Sequence, residues 1–446
     1  MASTSDTFDV AVIGAGMAGT VAARDLSLHG RSVVLLEARD RVGGRTYMKT
    51  VFGMPLEMGG AFVHWTQPAV WQELQRHNLA TLVPPKVSSK VHWLADGEVH
   101  TASRDEYNAM THPLLARLFA DARVRFPVPF DVNATDTREV EKESLEDRIN
   151  SMDLSAYKLD TLKGTMAGVC SSYKEQGVAQ LLHAVAGFFG DYRAFYETAG
   201  AWGIRGGTKA LLDAVLSESK AELRLSCPVA SISHDSDRTV IVTLRNGQRI
   251  QARMVIIAVP LNNLGDIHLY PNILPPAVRT MINQKNPVMA CKLWVRVKKG
   301  STGEFNAYAP AGQHPINVAR TTGYLDNGDA LVMCLCTNAS AIRGDDRDEV
   351  QSALRKFVPE IQVVDVVCQN WAMDEFSKGG WVNHRPGNLT GALPLIRKPH
   401  GRIYFAGSDV AALYPGAIEG AMQSATVAAR EVNAVLAREE TSTAKL

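Results

Sequence analysis

Apolar and polar positions along the chain alternate between strand-like runs and helical spacing. Residues 9–13, DVAVI, are a short apolar run with β-branched members and read as a buried strand. After a glycine-rich turn, TVAARDLSLHG carries Val21, Ala22, Leu26 and Leu28 at helical spacing and stops at Gly30. RSVVLLEA reads as a second strand that ends at Glu37. Residues 105–200 are rich in helix formers, whereas 222–260 look like strands with a hairpin turn at Asn246-Gly247. Met254 to Pro260 is the densest apolar run and reads as a buried strand; ACKLWVRVKK and LVMCLC are strand-like. Near the end, GRIYFAGSD reads as a strand running into a glycine turn. A helix follows, with Ala421, Ala425, Ala428 and Val432 at helical spacing and Pro415-Gly416 at its start. No internal repeat or low-complexity linker interrupts the pattern.

Composition narrows the class. The 446 residues are 46% hydrophobic and 21% charged, as in ordinary globular proteins. Lys+Arg number 47 against 46 Asp+Glu, so a nucleic-acid partner is not expected. No apolar stretch is long enough to span a bilayer, and MASTSDTFDV has no signal-peptide pattern. The six cysteines form no CxxC and no zinc-like spacing with histidine, so buried thiols are expected and a metal site is not. Ala444-Lys445-Leu446 is one step from the Ser-Lys-Leu peroxisomal address, which predicts a peroxisomal location; a cytoplasmic one is the alternative.

The chemistry begins at GAGMAG. A strand, a glycine-rich turn, a helix and a second strand ending in an acid form a βαβ dinucleotide fingerprint. Gly14 permits the tight turn, the backbone at Ala15 and Gly16 approaches a pyrophosphate, and Gly19 lets the helix lie on the strand. The helix N-terminus faces the phosphates, and Glu37 can accept from a ribose hydroxyl. This motif alone does not choose between NAD and FAD. ARDRVGGRT adds Arg39, Gly44 and Arg45, the last a fork suited to a pyrophosphate, and PLEMGGAFVHW adds Gly59, Gly60 and Ala61. Gly407, Ser408 and Asp409 form the late glycine turn. The amides of Gly416, Ala417 and Ile418 are expected to point out of the last helix toward the same ligand.

Together these pieces resemble the flavin monoamine oxidase family. DVAVIGAGMAG, LLEARDRVGGRT, LEMGGAFVHW, IRGGTKALLDAVL, VIIAVPL, ACKLWVRV, GGW and RIYFAGSDVAALYPGAIEGA run in the family's order over essentially the whole chain. GGAFVHWTQPAVWQELQRH looks most like the branch containing bacterial nicotine oxidoreductase. The resemblance implies an α/β fold: a Rossmann-type FAD-binding domain (1–82, 203–284 and 388–446) interleaved with a mixed-sheet and helical substrate domain (83–202 and 285–387). It implies that Val229 meets the adenine, that Lys292 is catalytic near the flavin, and that Trp381 is one wall of an aromatic cage. Gly380 matches a flavin-linked cysteine of some relatives, so FAD is expected to be non-covalent. The second cage wall departs from the pattern: Ala417 stands where relatives carry Tyr or Asn, and Tyr414 is the candidate to fill the gap. Trp371 matches a tryptophan near the flavin; Trp65, Tyr192 and Trp202 are expected in the substrate pocket, and His64 as a hydrogen-bonding wall residue.

The activity implied is oxidation of a neutral amine to an imine, which water hydrolyses, with electrons passing to O2 to give H2O2. The alternatives are an amino-acid oxidase or desaturase on the same fold, or an amine dehydrogenase with a protein acceptor. An amino-acid oxidase needs a cationic clamp, for which Arg385 and Arg205 are the nearby candidates. A non-catalytic flavin-fold module is disfavoured by the compact chain and by Lys292. A homodimer is among the expected assemblies.

Overall fold

A computed structural model describes residues 6–86, 88–236 and 238–443. The fold is α/β and rests on two large sheets. The first has eight strands. Asp6–Ile13 sits between Arg249–Ile257 and Val33–Leu36, parallel to both, with Ile13 opposite Ile257 and Leu36. Alternation divides the interior. Val10, Val12 and Leu35 pack on one face with Val21 and Leu26 of the Met17–Leu28 helix and Ala425 and Val432 of the Ile418–Thr443 helix. Ala11, Ile13, Val34 and Leu36 join the core on the other face. A sheet covered on both faces needs apolar residues at every position, which explains the unbroken runs DVAVI and VVLL.

The Asn246-Gly247 turn joins Thr239–Leu244 to Arg249–Ile257 as an antiparallel pair, Thr243 opposite Arg249. Gly247 has a φ of +87° and donates its N–H to Leu244 O at 3.0 Å. The partner edge of Arg249–Ile257 changes along its length. Arg249 to Ala252 pair with the hairpin, then Val255 to Ile257 pair in parallel with Ile403–Phe405. This brings the chain's last strand next to its first βαβ unit.

The second sheet is mixed and has seven strands, in the order Val363–Asn370, Cys291–Val297, Ala330–Cys336, Val318–Tyr324, Asn306–Tyr308, Lys90–Ala95, Glu98–Ser103. Leu293 and Val295 face a core that includes Val350 and Leu354 of the Arg347–Arg355 helix. Period two therefore turns Lys292 and Trp294 to the opposite face, where Trp294 packs with Met333, Val51, Leu56 and Met58. All strands of the first sheet fall within 1–82, 203–284 and 388–446, and those of the second within 83–202 and 285–387. Leu82–Val83 pairs with Gly203–Ile204 where the chain passes between these segments.

Residues 104–200 form the helical layer. Side chains start its helices: Ser103 accepts from Glu106 N and Ser144 from Asp147 N in capping boxes, and Asp191 accepts from Arg193 N and Ala194 N. None of the helices in the described residues is long and apolar enough to cross a membrane. All six cysteines are free thiols; Cys170, Cys291, Cys334 and Cys336 are buried, while Cys227 and Cys368 are partly accessible. The Ala444-Lys445-Leu446 tail lies outside the described residues.

Candidate active site

One cavity of about 410 Å³ touches both sheets and the helical layer. Its first limb is built by the βαβ unit. The Met17–Leu28 helix starts at Gly16 with no side-chain cap, so its first N–H groups remain open, and Gly16, Met17 and Ala18 line the cavity. Gly14 turns with φ +99°, and a Cβ there would lie 2.8 Å from Ala258 O. Gly19 is not on the wall. A Cβ on it would come within 1.7 Å of Gly14 O, so its role is to let the helix touch the turn. Ala15 is also off the wall: it is buried, and its N–H donates to Glu37 Oε2 at 2.8 Å. Glu37 Oε1 accepts from Arg39 N at 3.0 Å, so the carboxylate stands fixed on the wall. An uncapped helix start, a turn with no room for side chains and a buried acid together fit a dinucleotide.

Arg39 and Val229 line the same limb. Arg39 is held by Asp374 and by Ser377 Oγ at 2.8 Å. Gly44, Gly60, Ala61, Gly407 and Ser408 line the middle of the cavity. Arg45 also reaches the wall, but its fork is already engaged. It donates to Gly380 O (2.8 Å), Ser408 Oγ (3.0 Å) and Asp409 Oδ1 (2.6 Å). Arg45 thus braces two late segments of the chain, at Gly380 and at Ser408-Asp409, while it keeps its place on the wall. Asp409 is buried off the wall, where it also accepts from Leu261 N at 2.9 Å. Arg45 holds its carboxyl below the usual range against the opposing effect of burial.

The last helix starts later than the sequence suggests. It spans Ile418–Thr443, and Pro415 and Gly416 lie in the preceding turn. The N–H of Gly416 donates to Ser408 O and that of Ala417 to Tyr414 O, both at 3.1 Å, so these two amides do not point at a ligand. Ile418, the first residue of the helix, lines the cavity. Glu419 beside it is fully buried and accepts from Ala69 N (3.0 Å) and Val70 N (2.9 Å), capping the Pro68–Arg76 helix from a distant part of the chain.

The second limb carries a buried lysine. Lys292 is 6% exposed, lines the cavity, and donates Nζ to Gly59 O at 3.0 Å. Burial pushes its ammonium down to about 8, against the attraction of Glu57. Glu57 is itself raised by burial and accepts from the N–H and hydroxyl of Thr208, at 2.6 and 2.9 Å. For both groups, loss of hydration outweighs their mutual attraction, as is usual for charges inside a protein. Gly59 lies so close that a Cβ would sit 2.0 Å from Arg45 O and 2.9 Å from Trp371 Cζ2. Trp371 lines the cavity and anchors its Nε1 on Met58 O at 3.0 Å.

Trp381, Tyr414, Ala417 and Ile418 all line the cavity. Tyr414 has a φ of +56°, uncommon for a bulky residue, and its ring meets Phe188 edge-on at 5.8 Å. Tyr414 and Ala417 thus lie on the same cavity wall, three residues apart. Three expected pocket residues do not reach the wall. Tyr192 is buried in the helical layer, stacks on Phe119 at 6.3 Å and donates to His112 O. Trp65 and Trp202 meet each other at 5.1 Å beside the cavity, Trp65 being 44% exposed. His64 is also off the wall, with Nδ1 on Thr66 Oγ1 and Nε2 3.4 Å from Glu197. The apolar chamber is instead made by Phe62, Leu181, Phe188, Phe195, Met333 and Leu335. Met333 and Leu335 share a face of the second sheet by strand alternation, opposite Trp294 and Lys292 in register; the helical contributions carried no such signal.

The flavin-containing amine oxidoreductase family model matches residues 17–433. Nicotine dehydrogenase of Pseudomonas putida (strain DSM 28022 / S16) is 33% identical over 433 residues, covering 96% of this chain and 89% of that protein. Pseudooxynicotine dehydrogenase of a Pseudomonas species is 32% identical over 424 residues, covering 94% and 84%. Wild-type putrescine oxidase bound to putrescine superposes with a TM-score of 0.81 at 20% identity, over 96% of this chain and 99% of that one, which shows the shared fold. With the family's motifs assembled around one cavity, the chain belongs to the flavin-containing amine oxidoreductases.

Proposed function

We propose that this protein binds FAD non-covalently and oxidises the C–N bond of a bulky, apolar amine to an imine, with O2 as the electron acceptor. The observation that supports it most is the continuity of one cavity from the dinucleotide turn at Gly14–Ala18 to an apolar chamber flanked by Lys292 and Trp381. Gly16 to Ala18 would take the pyrophosphate, Glu37 the ribose and Val229 the adenine. When bound, the flavin supplies the two-electron acceptor for the C–N bond. The chain's own part is to orient and to dry. Phe62, Phe188 and Phe195 exclude water, and an unpaired ammonium among them is costly, so the amine binds neutral. The positive charge of Lys292 acts in the same sense, and its place on the wall supports reduction of O2, where negative charge develops. We read the two sheets as two interleaved domains with the boundaries given above.

An α-amino acid fits less well. The arginines on the wall are Arg39, Arg45 and Arg245, and each pairs with an acid: Asp374, Asp409 and Glu375. Arg385 is held by Glu175, and Arg205 does not line the cavity. A dehydrogenase with a protein acceptor is the second reading, favoured by the names of the two relatives. Anaerobic mixing with a panel of amines should bleach the flavin band, while α-amino acids leave it unchanged; O2 uptake should then match amine consumption. Reoxidation only by an added acceptor would favour the second reading. Because Gly380 has no thiol, acid should release intact FAD into the supernatant, and flavin retained by the precipitate would refute non-covalent binding.

Ala417→Tyr narrows the chamber next to Tyr414. The variant should lose about 1–3 kcal/mol of transition-state binding for bulky amines and much less for slim primary amines. Equal losses across a graded amine series, measured as kcat/KM, would place residue 417 away from the substrate.

A further inference from the structure

The inner face of the mixed sheet carries a second cation that the proposed reaction does not use. Arg320 lies opposite Met333 and Asn306, so its side chain leaves the sheet on the cavity side. Its guanidinium packs over Phe62, 4.9 Å from the ring centroid, and Phe62 is part of the cavity wall. Nη1 donates to Gly200 O at 3.2 Å. Nε is shut off from solvent and has no partner, and among the described residues no carboxylate pairs with this arginine. That leaves the Nε–Nη2 edge, the side of the fork that takes a carboxylate with two parallel bonds.

Two neighbouring groups are in the same condition. Asn306, the register partner of Arg320, is 5% exposed, and its Nδ2 is buried without a partner. The Tyr196 hydroxyl is likewise buried and unpaired. Tyr196 stands one turn before Gly200, whose carbonyl holds Arg320, on the Tyr192–Gly200 helix. It also feels Tyr308, two residues along the strand from Asn306. Lys292 lies near enough for Arg320 to disfavour its charge. Two unpaired donor groups beside a cation whose own Nε is unpaired are costly in a protein interior unless an acceptor, and a negative charge, is brought to them.

We propose that Arg320, Asn306 and Tyr196 form a subsite behind Phe62 that binds a carboxylate. The carboxylate is either a free small one or the acid end of a substrate whose amine lies between Lys292 and Trp381; the latter rests on the amine reading above. An acid there is remote from the reacting carbon, since Arg320 stands behind the wall and not on it.

The first test needs no turnover. Thermal unfolding of the holoenzyme is followed against formate at constant ionic strength set by a bulky sulfonate. Formate should raise the midpoint of the wild type, and this rise should vanish in Arg320→Met and shrink in Asn306→Leu and Tyr196→Phe, which keep the cation if the first variant does not fold. The second test compares amines with analogues that carry a remote carboxylate. A KM about tenfold lower for the acids, lost in Asn306→Leu with kcat unchanged, assigns the subsite to the substrate's tail. A formate effect with no such preference assigns it to a free carboxylate. If wild type and all three variants respond alike to formate and the amine series shows no dependence on the acid, water satisfies these groups and the proposal is wrong.

Discussion

Lys292→Met lowers turnover with O2 about a hundredfold and leaves the cofactor bound. Removing one preorganised charge from a dry site typically costs two to three orders of magnitude in rate, about 2.7–4 kcal/mol. The fold should tolerate the change. Methionine fills a similar volume on the buried face of Cys291–Val297, and Glu57 keeps its two bonds from Thr208. Stopped-flow traces should place the loss mainly in reoxidation. Two unchanged half-reactions would reduce Lys292 to a packing residue. The pH dependence provides a second check. With its ammonium pushed down to about 8, Lys292 loses its charge as pH rises through that value, so the Lys292-dependent rate falls there, and the Met variant shows no such fall. Stability has the opposite sign. Between about pH 8 and the ordinary lysine value of 10.5 the unfolded chain holds this proton more tightly, so the cost of burying the charge is relieved and the lysine's contribution to stability rises with pH.

Gly19→Ala removes the flavin site. The added methyl group would lie 1.7 Å from Gly14 O and 3.4 Å from Val12 Cγ1, against backbone that has no rotamer with which to yield. The Met17–Leu28 helix must lift away from Asp6–Ile13, which pulls the open amides of Gly16 to Ala18 away from the wall and loosens Val21 and Leu26 in the core. Overpacking of this kind costs about 1–3 kcal/mol, and more where backbone must move. The expected product is a colourless or poorly soluble protein with less than about a tenth of the wild-type flavin content, since the cost is borne by the site itself. Full flavin occupancy by absorbance at unchanged melting temperature would show that the turn relaxes without cost.

The βαβ unit was readable because local sequence determines it. A glycine turn, an uncapped helix start and an acid after the second strand are close neighbours along the chain, and their geometry follows from backbone sterics. The hairpin at Asn246-Gly247 was readable for the same reason. Lys292 was readable only in part. Strand alternation puts it opposite Leu293, but which face looks into the cavity depends on Val51, Leu56 and Met58 packing beyond Trp294.

Tyr192 shows where such reasoning stops. Its helix was legible, yet Phe195, Thr198 and Ala199 line the cavity while Tyr192 turns to Phe119 and His112. The rotation of a helix is set by what it packs against, and nothing within 192–200 states this. Arg45 is similar: a fork next to two glycines suggests a phosphate, and only the folded chain shows Asp409, Ser408 and Gly380 O already on it. The amino-acid sequence by itself determined the two kinds of layer, the dinucleotide turn and the residue types of the chemistry, because these depend on short-range sterics and hydrophobic period. The tertiary structure decided which side chains meet across the cavity, and left Arg320 without a counter-ion among the described residues, because contacts between residues hundreds of positions apart arise only from how the layers dock.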